Sequence, residues 1–312
     1  MTTADLLIAL ARANLAAGAA ALVVLALRGP VRRGFGAHLG YALWALVPAA
    51  AAGSLAPAQD WAGWSGAIAA GAEGRAWLGG GRADSLAALW LAGLAASVAL
   101  ALWRQARFAA AARAGRAGPA VIGVLQPRLV APADFAQRFS EAERRLIRAH
   151  ELAHLDRRDH RVGALAVIGA WICWFNPLAH VALAAFRSDQ ELACDATVMR
   201  RLPRARRAYA ETLLRTLPAA REAVFGSHWR AAAHPLETRL AMLARRQPSQ
   251  AHRDLGLAAL AVLSAGGFGV AWASQPPPLL PAFVPAAVMM VELAPADARE
   301  TAWVYRALPP RR

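Results

Sequence analysis

The sequence predicts a mainly α-helical, polytopic membrane protein with four transmembrane helices and a polar helical segment, containing a short β element, between the third and the fourth. Three observations predict this class. Hydrophobic residues make up 57% of the 312-residue chain and mean hydropathy is +0.32. Four apolar runs approach the ~20 residues that cross a ~30 Å hydrocarbon core. Arginine supplies the entire positive charge, since the chain contains no lysine, and it clusters beside these runs. A net charge of +15 would also suit nucleic acid. No basic motif interleaved with aromatic residues is present, so membrane-flanking anchors are expected and direct nucleic-acid binding is not. The two cysteines, Cys173 and Cys194, form no C-x-x-C pair and argue against a disulfide scaffold.

The first run extends from about Leu6 to Leu27. Acidic Asp5 stands where a signal peptide needs a positive start, and the run is long for one. Arg12 and Asn14 inside it are expected to lie near its outer end or to face other helices. The second run, about Phe35 to Leu55, contains Pro48; the third covers about Ser85 to Trp103. The last extends from about Leu255 to Ala273 and stops at Gln275-Pro276-Pro277-Pro278. Arginine placement orients the set. Arg28, Arg32 and Arg33 lie between the first two runs, Arg104, Arg107, Arg113 and Arg116 follow the third, and Arg245, Arg246 and Arg253 precede the last. The loop between the second and third runs has Arg75 and Arg82 offset by Asp60, Glu73 and Asp84, and carries Trp61, Trp64 and Trp77, which suit an outer position. The expected division is 1–103 with three spans, 104–254 in the cytoplasm, 255–275 as the fourth span, and 276–312 as a short proline-rich extracytoplasmic tail. This places the chain in a cytoplasmic membrane.

Within 104–254 the stretch HELAHLDRRDH, residues 150–160, carries the chemistry. Ser140 followed by Glu143 predicts a capping box, and EAERRLIRAHELAHL has good helix formers without glycine or proline. Residues three and four apart share a helical face, so His150, Glu151 and His154 lie on one stripe. Two imidazoles one turn apart can hold a single zinc ion, with Glu151 beside it as a general base. Two residues compete for the third ligand position. His160 stands six past His154, as in H-E-x-x-H-x-x-G-x-x-H sites, but Arg157 occupies the glycine position that would break the helix. Glu191, in RSDQELACDATVM, is the other; Ser188 is expected to cap its helix, and Asp195 one turn on would orient a ligand imidazole. Cys194 is expected to turn away from the Glu191 face and pack.

A single zinc ion held by His150, His154 and Glu191 constrains the apolar stretch 162–186. As one straight helix it would cross a ~30 Å bilayer and separate the ligands. It must therefore turn back, and Asn176-Pro177 is the expected turn. VIGVLQPRLVAP, 121–132, reads as two extended pieces around Gln126-Pro127, either a structural hairpin or an edge for a substrate strand. Candidates for stabilising an oxyanion are Tyr209, His228, His234 and Arg239.

The chain resembles the BlaR/MecR-type membrane metallopeptidases, the antirepressor proteases of beta-lactam sensing. The resemblance lies in VLQPRLVAP, HELAHLDRRD, WFNPLAH and ELACDATV, more loosely in YAETLLRTL and HPLETRLAML, and in three spans before and one after the protease segment. It implies a gluzincin-like metalloprotease domain holding zinc through His150, His154 and Glu191, with Glu151 as catalytic base. It also implies a cytoplasmic site that cleaves a partner protein, a winged-helix repressor, or the chain itself. Membrane lipid and a homo-oligomeric partner are further expectations. No S-x-x-K motif occurs in 276–312, so acylation by a beta-lactam is not expected of this chain. A membrane quality-control protease and a non-catalytic zinc-containing receptor are the alternatives.

Overall fold

A computed structural model describes residues 2–57, 74, 76–216, 235–245 and 247–275. Trp61, Trp64, His228, His234 and the tail from 276 lie outside the described residues. Four stretches are long and apolar enough to cross a membrane: Thr3–Phe35, Ala37–Leu55, Arg82–Arg113 and Gln250–Ala273. Three of them contain the run expected from the sequence, and Ala37–Leu55 covers the second except its start, since Phe35 closes the first helix.

Helix α1 (Thr3–Phe35) opens on a capping box in which Thr2 and Asp5 satisfy each other's backbone N–H. Its 33 residues make it ~50 Å long, beyond a ~30 Å core, so one end projects past the apolar region. Arg28, Arg32 and Arg33 belong to that helical end and not to a loop. The chain turns at Gly36, whose φ of +90° favours glycine, into α2 (Ala37–Ala42), a 3-10 turn (Leu43–Ala45) and α3 (Leu46–Leu55). Pro48 falls in the first turn of α3, just after the 3-10 turn, where it removes one backbone donor from the helical stretch. The third span is α4 (Arg82–Arg113).

Strands β1 (Ala120–Ile122) and β2 (Arg128–Val130) pair antiparallel with Val121 opposite Leu129. After the short α5 (Phe135–Arg138) comes α6 (Glu141–Asp156), capped by Ser140 and Glu143 as the sequence predicts. Then follow α7 (Asp159–Ile172) and α8 (Pro177–Arg201). A 3-10 turn (Pro203–Ala205), α9 (Arg206–Thr216), α10 (Pro235–Ala244) and the last span α11 (Gln250–Ala273) complete the order.

The chain does reverse at Asn176-Pro177. Asn176 Oδ1 accepts the Leu178 N–H at 2.9 Å, and Pro177 takes the first helical position. Helix α8 then continues unbroken through Ser188, which is not a cap; nothing between Phe186 and Glu191 interrupts helical geometry. The α7–α8 hairpin lies among the spans. Its tip is bonded to α1 through Asn176 Nδ2 to Asn14 Oδ1 at 2.8 Å, and to α4 through Trp90 Nε1 to the Ile172 carbonyl at 2.9 Å. Arg12, the other polar residue of the first span, faces Ser54 and Gln275.

Two cores result. Ala21 and Val24 of α1, Leu39, Leu43, Trp44 and Leu46 of the second span, Val167 of α7, Leu183 and Phe186 of α8 and Leu260 of α11 form the first. Leu146 and Ala153 of α6, Cys194 and Val198 of α8, Tyr209 and Leu213 of α9 and Leu243 of α10 form the second. Helix α8 contributes to both. In the first region α3 and α11 approach so closely that a Cβ at Gly53 would collide with the Phe268 backbone. Gly53→Ala is expected to destabilise the protein by about 1–3 kcal/mol through this overpacking. Gly169→Ala, where nothing stands within 4 Å of the added carbon, should change stability by less. Thermal unfolding in detergent micelles, compared for the two variants, checks this.

Candidate metal centre

His150 and His154 stand one turn apart on the inward face of α6, and the reversal at Asn176 brings Glu191 of α8 against them. His150 Nε2 lies 3.2 Å from His154 Nε2, Glu191 Oε2 lies 3.3 Å from His150 Nε2, and Glu191 Oε1 lies 3.4 Å from His154 Nε2. The three side chains each offer one ligand atom to a common point.

The outer nitrogens explain which atoms face inward. His154 Nδ1 is 2.9 Å from Asp159 Oδ2, so it carries the proton and donates it. His150 Nδ1 is 2.8 Å from the Tyr209 oxygen, whose own hydrogen goes to Asp195 Oδ1 at 2.6 Å. Asp195 Oδ1 itself lies 3.4 Å from His150 Nδ1. As neutral imidazoles, both would turn an Nε2 lone pair toward the Glu191 carboxylate. A tetrahedral ion with ligand bonds of ~2.0–2.1 Å requires ligand atoms ~3.3–3.4 Å apart, which is the separation found.

Arg239 of α10 closes the back of the site. It donates to both oxygens of Asp195, at 2.8 and 2.7 Å, and its Nη1 lies 3.2 Å from Glu191 Oε2. Burial by itself would raise the Asp195 carboxyl, yet Arg239 and His150 bring it down to about 2. Glu191 is likewise held well below the ordinary carboxylate range, burial being outweighed by His154 and Arg239. Burial works against charge on His154, but Glu191 and Asp159 raise it well above the ordinary imidazole value. Glu151 sits differently. Desolvation pushes its carboxyl up, with the two imidazoles pulling against that, and no described side chain bonds it.

His160 is not part of this cluster. Helix α6 ends at Asp156 even without a glycine, because Arg158 adopts the left-handed conformation, φ +57° and ψ +31°. A non-glycine residue there costs roughly 1–2 kcal/mol. The break returns Asp159, and not His160, to His154. Nothing in the spacing of DRRDH announces that choice. Cys194 also departs from expectation. It is three residues past Glu191 and so shares its face; Sγ lies 3.1 Å from His154 Nδ1 and 3.2 Å from Asp159 Oδ2. His154, Asp159 and Cys194 are close enough to share a cation. Burial, however, pushes the Cys194 thiol up to about 12, and His154 Nδ1 already carries a proton, so both act as donors to Asp159. Tyr209 and Arg239, considered above as oxyanion donors, direct their described hydrogens at Asp195 and Glu191.

Residues 112–243 match the family model described as BlaR1 peptidase M56. The chain is 30% identical over 84 residues to the Regulatory protein BlaR1 of Bacillus licheniformis, which covers 27% of this chain and 14% of that protein. It is 30% identical over 98 residues to the Methicillin resistance mecR1 protein of Staphylococcus aureus and of Staphylococcus epidermidis, covering 31% of this chain and 17% of each relative. The matches thus span less than a fifth of the relatives' length. No solved structure matches the chain. The matched segment contains α6, α7, α8, α9 and most of α10, which together supply every side chain of the cluster just described, and the match and these relatives support a likeness to the BlaR/MecR-type peptidases.

Proposed function

We propose that this chain is an integral-membrane zinc endopeptidase that cleaves a cytoplasmic protein, a winged-helix transcriptional repressor or the chain itself, in signal-regulated proteolysis. One observation carries the reading: two imidazole Nε2 atoms and the Glu191 carboxylate converge at 3.2–3.4 Å while both Nδ1 atoms are tied back to carboxylates or their relay. His150, His154 and Glu191 would hold the ion. Zinc, when bound, supplies Lewis acidity that polarises a peptide carbonyl and acidifies water. Glu151 takes a proton from the hydrolytic water and delivers it to the departing amine. Asp159 and the Tyr209–Asp195 relay keep both imidazoles in the tautomer that leaves Nε2 free. The β1–β2 hairpin, whose outer edges carry no described strand partner, would align an extended substrate by strand addition.

The site belongs on the cytoplasmic side of the inner membrane in this reading. Support comes from its position beside the arginine-bearing end of α1, where Arg28 and Arg32 reach Asp189 of α8. The zinc content of purified full-length protein tests the ligand set. His150→Ala, His154→Ala and Glu191→Ala should each lose stoichiometric zinc, and His160→Ala should keep it. Retention of zinc by Glu191→Ala together with loss by His160→Ala would reverse the assignment. Fragment profiling of cells carrying wild type or Glu151→Gln identifies the substrate; a repressor fragment found only with wild type is the expected result.

A further inference from the structure

The first two membrane helices reach into the set of acids behind the metal ligands. Tyr41 of α2 donates its hydroxyl to Asp159 Oδ1 at 3.2 Å, while Asp159 Oδ2 receives His154 Nδ1–H at 2.9 Å. Gln190, adjacent to Glu191, donates to the Tyr41 oxygen at 3.2 Å. Arg157 bonds both Asp159 oxygens, and its guanidinium lies 4.6 Å over the Tyr41 ring. A second contact stands two residues before Glu191. Asp189 is 1% exposed and is held by Arg32 at 2.9 Å and Arg28 at 3.3 Å, with Trp44 Nε1 donating to it at 2.9 Å.

Buried carboxylates persist only when paired and hydrogen-bonded. Both of these acids are so satisfied, and many of their partners come from the membrane hairpin α1–α3. Asp159 is 3% exposed and has no alternative solvent partner; without Tyr41 one of its oxygens would depend on Arg157 alone. The carboxylate that receives a ligand imidazole's outer N–H fixes the direction of its Nε2 lone pair. Asp189 fixes the level and rotation of α8 half a turn before Glu191.

We propose that Tyr41 and Asp159 are positioning residues for His154, and Arg32, Trp44 and Asp189 for Glu191, so that the membrane hairpin forms part of the metal centre's scaffold. The proposal rests on the reading of His150, His154 and Glu191 as zinc ligands. It is tested with full-length protein in detergent micelles, by zinc affinity in chelator competition and by the visible spectrum of the cobalt-substituted protein. Asp159→Asn should weaken zinc binding by roughly 10–100-fold, and Tyr41→Phe by ~10-fold, the lower end of the range for groups behind a metal ligand. Both should shift the cobalt ligand-field bands, as should Arg32→Gln. Arg207→Gln, which removes an exposed pair with Glu211, should change neither reading. Should Asp159→Asn fail to fold, Tyr41→Phe decides, because it deletes one oxygen and keeps the ring packing. Wild-type affinity and wild-type cobalt spectra in Tyr41→Phe and Arg32→Gln overturn the proposal. Wild-type protein that binds no zinc, or His154→Ala that binds it fully, instead overturns the ligand reading beneath it.

Discussion

Glu151→Gln is expected to lower substrate cleavage by ~10²–10⁴-fold, the contribution of a positioned general base, with zinc content unchanged. The amide keeps the shape of the side chain but cannot accept and return a proton. Glu151 lies on α6 between the two histidines, yet it is not among the three atoms that converge at 3.2–3.4 Å, so metal retention should not depend on it. No described side chain is hydrogen-bonded to its carboxylate. Purified wild type and variant, compared on the fragment-defined substrate with zinc measured in the same samples, check both halves. Cleavage that survives in Glu151→Gln, with zinc bound, would end the catalytic reading and favour a structural metal.

Arg239→Leu carries the largest expected stability effect. It strips the two-pronged partner from Asp195, which is 2% exposed, and removes a contact from Glu191. Breaking one side of a buried pair costs on the order of 3–5 kcal/mol, because the remaining charge stays desolvated. Arg239→Lys should recover only part of the loss, since an ammonium cannot engage both oxygens in one plane. The double variant Arg239→Leu with Asp195→Leu removes the stranded charge and should be more stable than Arg239→Leu alone. Unfolding midpoints of the three variants in detergent micelles give the comparison. A double variant less stable than the single would mean that Asp195 gains little from Arg239. The same experiment addresses why α10 is needed at all: it delivers a cation to Asp195, 44 residues earlier in the chain, and to Glu191 before that.

Much of the site was legible because its signals are local. Helical periodicity places His150 and His154 on one face from their spacing alone, and Ser140 with Glu143 marks where that helix starts. The Asn-Pro pair marks a reversal because proline has no N–H to donate and suits a first helical turn, as Pro177 does. The four spans are legible for a similar reason: backbone groups in hydrocarbon must be satisfied within one helix, so each span is a contiguous apolar run.

Other features depend on which helices meet, and spacing does not contain that information. Cys194 was expected to turn away from the Glu191 face, yet residues three apart share a face and the packing of α8 on α6 sets its sulfur against His154. His160 and Asp159 are neighbours in sequence; the left-handed Arg158 alone decides that the aspartate returns. Arg28 and Arg32 read as membrane-flanking charges, but both belong to α1 and the buried Asp189 recruits them. The sequence by itself determined the apolar spans, the reversal and the pair of imidazoles, since each follows from the geometry of a single helix or turn. Only the tertiary structure decided which acids stand behind those imidazoles and that the membrane hairpin supplies their partners, because a buried charge takes whatever opposite charge packing brings within reach, however far away in the chain.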